Sequence, residues 1–121
     1  MEELDDDTLR AVSGGINMKL TQYGYRNDPY MDSETRRGHG AYHNLRSESM
    51  AITDSGLRAL GLSRRDVRGG NHWVEIRLRG GGVLHRRIDD RAPERDMRAD
   101  LYQPRGFDRH LPDRADVRLW K

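Results

Sequence analysis

Acidic side chains stand where two predicted strands meet turns, and such positions suit carboxylates that transfer protons. The alternating segment 83–88 reads as a strand that runs into Asp89 and Asp90, and Pro93 marks a turn just beyond them. A third carboxylate, Asp100, lies in the next predicted strand. Removal from water, or a second carboxylate nearby, raises the pKa of a carboxyl group toward the range that a general acid needs. The pattern predicts that Asp90 sits at the rim of a sheet.

The stretch 88–93 resembles a turn of the double-psi β-barrel family, which includes rare-lipoprotein-A-like proteins, membrane-bound lytic transglycosylase A, three-aspartate domains and expansins. In the rare-lipoprotein-A-like pattern a strand enters an Asn-Asp-Arg-Gly-Pro turn, and an apolar-Asp-Leu strand follows. Here Asp89 replaces the asparagine and Ala92 replaces the glycine. The similarity covers roughly residues 20–105 and is concentrated in the last quarter of them. It implies that Asp90 is the catalytic aspartate and that Asp100 is a second catalytic acid.

The resemblance implies a glycan ligand, and side chains that suit a glycan occur along the chain. Tyrosine rings stack on the apolar faces of sugars, and carboxylates, imidazoles and amides hydrogen-bond to hydroxyl and acetamide groups. Alternatively, the tyrosines only cover one end of a barrel. The residues predicted to bind substrate are Tyr23, Tyr25, Asp32, His43, Asn44, Asp89 and Tyr102.

The composition predicts one small β domain. Of the 121 residues, 34% are hydrophobic and 35% are charged, which leaves a thin apolar core. A closed barrel suits such a core because few side chains fill it and no strand edge stays exposed. The chain has no cysteine, so disulfides and thiolate chemistry are excluded. No stretch approaches the roughly 20 apolar residues that cross a bilayer, so we expect no membrane span.

The hydrophobic pattern and the turn residues divide residues 16–121 into short elements. A helix is predicted at 54–62 with Asp54 as its cap and Gly61 at its end, followed by a polar turn at 63–67. Residues 25–42 read as a long loop, and Gly80–Gly82 as a hairpin turn. Together with the resemblance, this predicts a mainly β fold, a six-stranded double-psi β-barrel with one or two short helices. Strands are predicted at 18–25, 50–53, 73–79, 83–90, 99–102 and 113–120, with Val74, Ile76, Leu78, Val117 and Leu119 facing the core.

Residues 1–15 differ in charge from the rest of the chain. They carry a net charge of −4, which leaves +6 on residues 16–121. Leucines and Val12 recur at helical spacing, acids crowd the first turn, and Gly14 and Gly15 end the helix. The segment resembles the double-glycine leaders that peptidase-containing ABC exporters recognise, which implies cleavage after Gly15. We therefore expect the protein to be cytoplasmic before export, and to be secreted or located in the cell envelope after the leader is removed. An ordinary N-terminal helix with a glycine cap is the alternative.

Other chemistries find little support in the sequence. His39 and His43 are four residues apart, but the glycines around His39 disfavour a helix and no third ligand is suitably spaced, so no metal is predicted. No motif implies a cofactor, and no nucleophile motif accompanies the histidines. The scattered arginines are interpreted as a solvent-exposed surface, and binding of nucleic acid by these arginines is a minor alternative.

The function expected from these residues is cleavage of a bacterial cell-wall glycan. In the lytic transglycosylases of the family, one aspartic acid protonates the glycosidic oxygen and then accepts a proton from the 6-hydroxyl of the sugar. The expected partner is peptidoglycan or a related glycan. A non-catalytic glycan-binding or expansin-like module, which loosens the wall without cutting it, is the alternative.

Overall fold

The computed structural model describes residues 15–25, 28, 29 and 31–120. Residues 1–14 lie outside the described part, and with them almost all of the predicted leader. Gly15 is described, and it is buried next to the backbone of Val117. The strands are β1 (Ile16–Tyr23), β2 (Ser49–Ile52), β3 (Trp73–Leu78), β4 (Val83–Arg91), β5 (Arg98–Tyr102) and β6 (Arg114–Leu119), and the helices are α1 (Ser33–Arg36), α2 (Asp54–Ala59) and α3 (Arg64–Val67).

The six strands form one closed barrel in the order β1-β5-β2-β4-β3-β6. The pairs β1–β5 and β2–β4 are parallel, and the other four pairs are antiparallel. Because the sheet closes on itself, each of these six strands has two partners, and none of the six presents a free edge. The prediction of a mainly β, closed six-stranded barrel is confirmed.

The barrel interior is filled by apolar side chains that alternate along the strands. Val74 and Ile76 are fully buried, as predicted, and Leu78 is partly buried against the same core. Val117 also points inward and is fully buried. The prediction for Leu119 is wrong, because this side chain is 44% exposed. It ends β6 and lines an open surface cavity instead of the core.

Local side-chain caps explain where the short helices begin. The hydroxyl of Thr53, not the carboxylate of Asp54, accepts the N-terminal hydrogen bond of α2. The segment 63–67, predicted as a turn, is α3, since Ser63 and Asp66 form a reciprocal capping box. Asp32 caps α1 inside the long predicted loop. The described part of the chain therefore has three short helices, where the sequence predicted one or two.

The structure confirms the predicted hairpin turn between β3 and β4. Gly80, Gly81 and Gly82 all have positive φ, and they connect strands that pair antiparallel. Glycine adopts this backbone conformation without the steric cost that a Cβ brings.

Within the described residues, no helix has the length and apolar character needed to cross a bilayer.

Candidate active site

Two acidic side chains lie in one row across four strands of the barrel. The register pairs Thr21 of β1 with Asp100 of β5, Asp100 with Ala51 of β2, and Ala51 with Asp90 of β4. Leu20, which precedes Thr21, and both neighbours of Asp100 and of Ala51 belong to the core, so the row lies on the outer wall. Two strand spacings separate the Cα atoms of Asp90 and Asp100, on the order of 10 Å.

An irregularity in β4 sets the direction of Asp90. Met50 pairs with Ile88, and the next residue of β2, Ala51, pairs with Asp90, so Asp89 is an extra residue in β4. Such a β-bulge redirects the side chains that follow it and is frequent next to active sites. The bulge keeps Ile88 in the core and brings Asp90 onto the outer wall beside Ala51.

Asp90 and Asp100 face a groove made of two adjoining cavities. The smaller cavity, about 190 Å³, is called the acidic arm, because Asp28, Asp32 and Asp90 line it. The larger cavity, about 500 Å³, is called the arginine arm, because Arg95 and Arg98 line it. The two arms share four lining residues, namely Tyr23, Asp28, Pro93 and Asp100.

The Asp90 carboxylate is held by hydrogen bonds and is 8% exposed. Its Oδ1 accepts from the backbone N–H groups of Ala41 and Arg91, both at 2.8 Å, and its Oδ2 accepts from the Tyr23 hydroxyl at 2.9 Å. Burial raises the pKa of Asp90, against the effect of these three donors, and the nearby Asp32 carboxylate raises it further. The carboxylate that raises the pKa of Asp90 is thus Asp32, and not the adjacent Asp89, which pairs with Arg87.

The Asp100 carboxylate has fewer donors and a larger pKa shift. The Thr21 hydroxyl donates to its Oδ1 at 2.9 Å. Burial raises the pKa of Asp100 from 3.8 to about 6, with smaller opposing effects of the Thr21 hydroxyl and Arg98. The Asp28 and Asp90 carboxylates act in the same direction as burial. A carboxyl group with this pKa is partly protonated near pH 6, where proton transfer to or from it is efficient.

The shifted pKa of Asp100 predicts how stability depends on pH. Between about pH 4 and pH 6 the folded protein binds a proton that the unfolded chain has released, so the free energy of unfolding falls as pH rises through this window, by up to about 3 kcal/mol. The substitution Asp100→Asn removes the buried charge. We expect this variant to be more stable than the wild type at pH 7.5 and similar to it below pH 4.

Thermal unfolding at pH 3.5 and pH 7.5 measures this difference. Asp113→Asn is the matched control, because Asp113 is exposed and does not line the groove. An Asp100→Asn protein that loses stability equally at both pH values would show that the Thr21 hydrogen bond, and not the buried charge, dominates at this position.

Tyr23 lines both arms of the groove and hydrogen-bonds to Asp90. Its ring packs against Tyr102 at a centroid distance of 5.5 Å, and its hydroxyl donates to Asp90. Burial, followed by the Asp90 carboxylate, raises the pKa of Tyr23, so the hydroxyl remains a hydrogen-bond donor. Tyr25 lines the arginine arm and makes an edge contact with the exposed ring of Phe107 at 6.2 Å. Tyr102 lines neither arm and contacts the groove only through its packing against the Tyr23 ring.

The loop that precedes β2 closes over the bulge. The N–H groups of Tyr42 and His43 donate to the backbone oxygen of Asp89, each at 3.0 Å, and the N–H of Ala41 donates to the side chain of Asp90. Gly40 allows this close approach, because a Cβ there would lie 2.3 Å from the Asp89 oxygen. The loop therefore holds Oδ1 of Asp90, the carboxylate oxygen that does not accept from Tyr23.

Besides Tyr102, three of the predicted substrate-binding residues do not line the groove, namely Asp89, His43 and Asn44. Asp89 is fully buried, where Ser49 and the Nε of Arg87 donate to it, the latter at 2.9 and 3.1 Å. His43 lies 3.7 Å from Asp89 and 3.2 Å from Arg87. Asn44 forms a backbone bridge with His39. The structure thus brings together Asp90, Asp100, Tyr23, Tyr25 and Asp32, and it places Asp89, His43 and Asn44 in or near a separate cluster.

Sequence reasoning missed several residues that line the groove. Asp28 is 4% exposed and accepts from the N–H of Gly24 at 3.0 Å. Its Asn-Asp-Pro context signalled a turn but not the direction of its side chain. Thr21 and Arg98 join the site only because β1 and β5 pair in parallel, and that pairing has no local sequence signal. In the part of the chain that the structure describes, no group of three or more metal-ligating side chains is arranged to hold a metal ion.

A second cavity, of about 380 Å³, differs in chemistry from the groove. Its side chains are largely apolar and include Leu60, Leu119 and Trp120. Arg118 is the charged residue among those that line it. Carboxylates with raised pKa values lie in the groove instead, which makes the groove the better candidate for acid–base chemistry.

Searches against protein-family models, curated proteins and solved structures found no match to this chain.

Proposed function

We propose that the protein cleaves a bacterial cell-wall glycan by lytic transglycosylation, and that its barrel is of the double-psi type. The observation that carries this proposal is the pair of carboxylates with raised pKa values, Asp90 and Asp100, in one groove. A groove made of two adjoining cavities suits successive sugar units of a polymer, and the tyrosines beside the carboxylates suit sugar rings.

Asp90 performs both proton transfers in the proposed reaction. As a carboxylic acid it gives its proton to the glycosidic oxygen while the bond between that oxygen and C1 breaks. As a carboxylate it then accepts the proton of the 6-hydroxyl, whose oxygen forms a new bond to C1 of the same sugar. The product is an anhydro sugar, no water is consumed, and Asp90 returns to its initial state. Tyr23, Ala41 and Arg91 hold the carboxyl group in one orientation throughout.

Asp100 has a supporting electrostatic role in this proposal. Its negative charge, when present, stabilises the positive charge that develops at C1. The same carboxylate makes hydrolysis a variant of the reaction, because a second carboxylate at a suitable distance activates a water molecule. Hydrolysis and transglycosylation leave different chain ends, a reducing sugar and an anhydro sugar.

A non-catalytic glycan-binding module is the second candidate, favoured by one specific observation. Asp90 already accepts three hydrogen bonds from the protein. Such bonds stabilise the ionised carboxylate and oppose the protonated state that a general acid requires. The exposed edge contact of Tyr25 and Phe107 provides a stacking surface that binding alone would use.

Product analysis separates these possibilities. The full chain is incubated with purified peptidoglycan, and the soluble fraction is examined by mass spectrometry. We expect fragments with anhydro ends. Fragments with only reducing ends would assign a hydrolase, and protein that pellets with the polymer without releasing fragments would assign a binding module.

We further propose that residues 1–15 are a leader that directs export through a peptidase-containing ABC transporter to the cell envelope or beyond. The acid-rich, amphipathic pattern and Gly14–Gly15 support this. Gly15 is buried against β6 in the folded protein, so the peptidase must act before the barrel closes. Co-expression with such a transporter, followed by intact-mass measurement, checks for cleavage after Gly15, and an exported protein that retains residues 1–15 would exclude it.

A further inference from the structure

A third cavity, of about 180 Å³, lies where β1, β3 and β6 are neighbours, and it shares no lining residue with the groove. The charged residues that line it are Arg77, Arg79, Arg114 and Asp116. Three positive charges and one negative charge give the lining a net charge of +2. The cavity therefore attracts anions.

Strand register brings the three arginines together. Arg77 of β3 is paired with Asp116 of β6. Side chains two residues apart on a strand share a face, so Arg79 lies on the same side as Arg77, and Arg114 on the same side as Asp116. The residues between them belong to the core or pack against it, so all four charged side chains point to the outer wall.

The carboxylate in this cavity does not neutralise the arginines. Asp116 accepts a hydrogen bond from the amide nitrogen of Asn17 at 3.1 Å. The amide oxygen of Asn17 accepts from the Nε of Arg114 at 2.6 Å. Asn17 thus bridges Asp116 and Arg114, and Asp116 forms no ion pair with any of the three arginines.

Two of the three arginines have no acidic partner in the part of the chain that the structure describes. Arg79 is exposed, and its side chain makes no hydrogen bond or ion pair there. The hydrogen bond of Arg114 is to a neutral amide. Arg77 lies 3.5 Å from the Glu75 carboxylate, which Arg118 also binds. Positive charges held side by side repel one another, and a bound anion relieves this repulsion.

We propose that this cavity binds a phosphate monoester. Such a group carries a charge of about −1.5 to −2 at pH 7 and three strong acceptor oxygens, which match the net charge of the lining and its three guanidinium groups. The planar guanidinium group donates two parallel N–H groups to phosphate oxygens. A phosphate diester has a single charge and fewer free oxygens, so it complements the cavity less well. The proposal is independent of glycan cleavage.

Isothermal titration calorimetry on the full chain tests this proposal. Glycerol phosphate is the monoester probe, and dimethyl phosphate, at the same ionic strength, is the diester. The variants are Arg79→Gln and Arg114→Gln. Arg65→Gln is the matched control, because Arg65 is also exposed, belongs to α3 and does not line the cavity. Thermal unfolding without ligand verifies that all the variants fold.

We expect the wild type to bind one glycerol phosphate per chain, several-fold more tightly than dimethyl phosphate. Each of the two cavity variants should weaken this binding by roughly tenfold, the loss typical of a hydrogen bond to a charged group, and Arg65→Gln should leave it unchanged. Equal affinity of the wild type for the two probes, the absence of saturable binding, or unchanged affinity of both cavity variants overturns the proposal. Fragment release from peptidoglycan is a separate measurement at the groove, and none of these outcomes alters it.

Discussion

Asp90→Asn is expected to lower the rate of fragment release from peptidoglycan by a factor of about 10² to 10⁴, the usual contribution of a general acid or base. Asparagine has the same shape but no proton to give to the glycosidic oxygen. Its amide oxygen still accepts the two backbone N–H groups that bind Oδ1 in the wild type, so the fold should be retained. The measurement is the initial rate of soluble product formation at equal protein concentration, with circular dichroism to verify folding.

Asp32→Asn is the control for this substitution. Asparagine caps a helix about as well as aspartate, so α1 should be preserved. The Asp32 charge raises the pKa of Asp90, so its removal lowers that pKa. We expect a small change in maximal rate and a shift of the alkaline limb of the pH profile toward lower pH. A fully active Asp90→Asn protein would remove Asp90 from the mechanism and transfer the role of the acid to Asp100.

Asp89→Asn is expected to affect stability instead of chemistry. Asp89 is fully buried, and the side chain of Arg87, which is 13% exposed, donates to both of its carboxylate oxygens. Removing one partner of a buried ion pair leaves the other charge without compensation, at a cost of roughly 3–5 kcal/mol. Urea denaturation measures this loss.

The exposed ion pair of Asp96 with Arg98 provides the comparison. Asp96 is 47% exposed at its side chain, and a surface pair contributes about 0–1 kcal/mol. The urea concentration at which half of the Asp96→Asn protein is unfolded should therefore be close to that of the wild type. If Asp89→Asn kept the stability of the wild type and lost activity, Asp89 would have the ligand-binding role that the sequence predicted.

The sequence predicted those parts of the molecule that depend on local patterns. The alternation in β3 and the three glycines before β4 each specify a structure within about ten residues, and the structure agrees with both. β4 itself continues to Arg91, past the stop at Asp89 and Asp90 that the sequence predicted. Ser63 and Asp66, a serine followed three residues later by an acid, have the spacing of a capping box, and the structure forms a helix there where the sequence analysis predicts a turn.

The remaining features depend on contacts between distant segments. Adjacent aspartates look alike in sequence, but the bulge in β4 buries Asp89 against Arg87 and directs Asp90 to the groove. Whether a tyrosine lines the groove or supports it also depends on register, since Tyr23 and Tyr102 are directly paired and only Tyr23 is part of the lining. Registers of parallel strands separated by some 80 residues leave no periodic signal in the sequence.

The position of β1 between β5 and β6 has a consequence for how the chain folds. The first strand pairs on both sides with the last two, for example Ile16 with Val117 and Tyr23 with Tyr102. Loops of this length must close before those contacts form, which slows folding. A nascent chain therefore cannot complete the barrel until its final strand has left the ribosome. Tyr23 meets Asp90 only after β1 has docked on β5, so the candidate site is assembled late, and a chain that ends before β6 leaves one side of β1 unpaired.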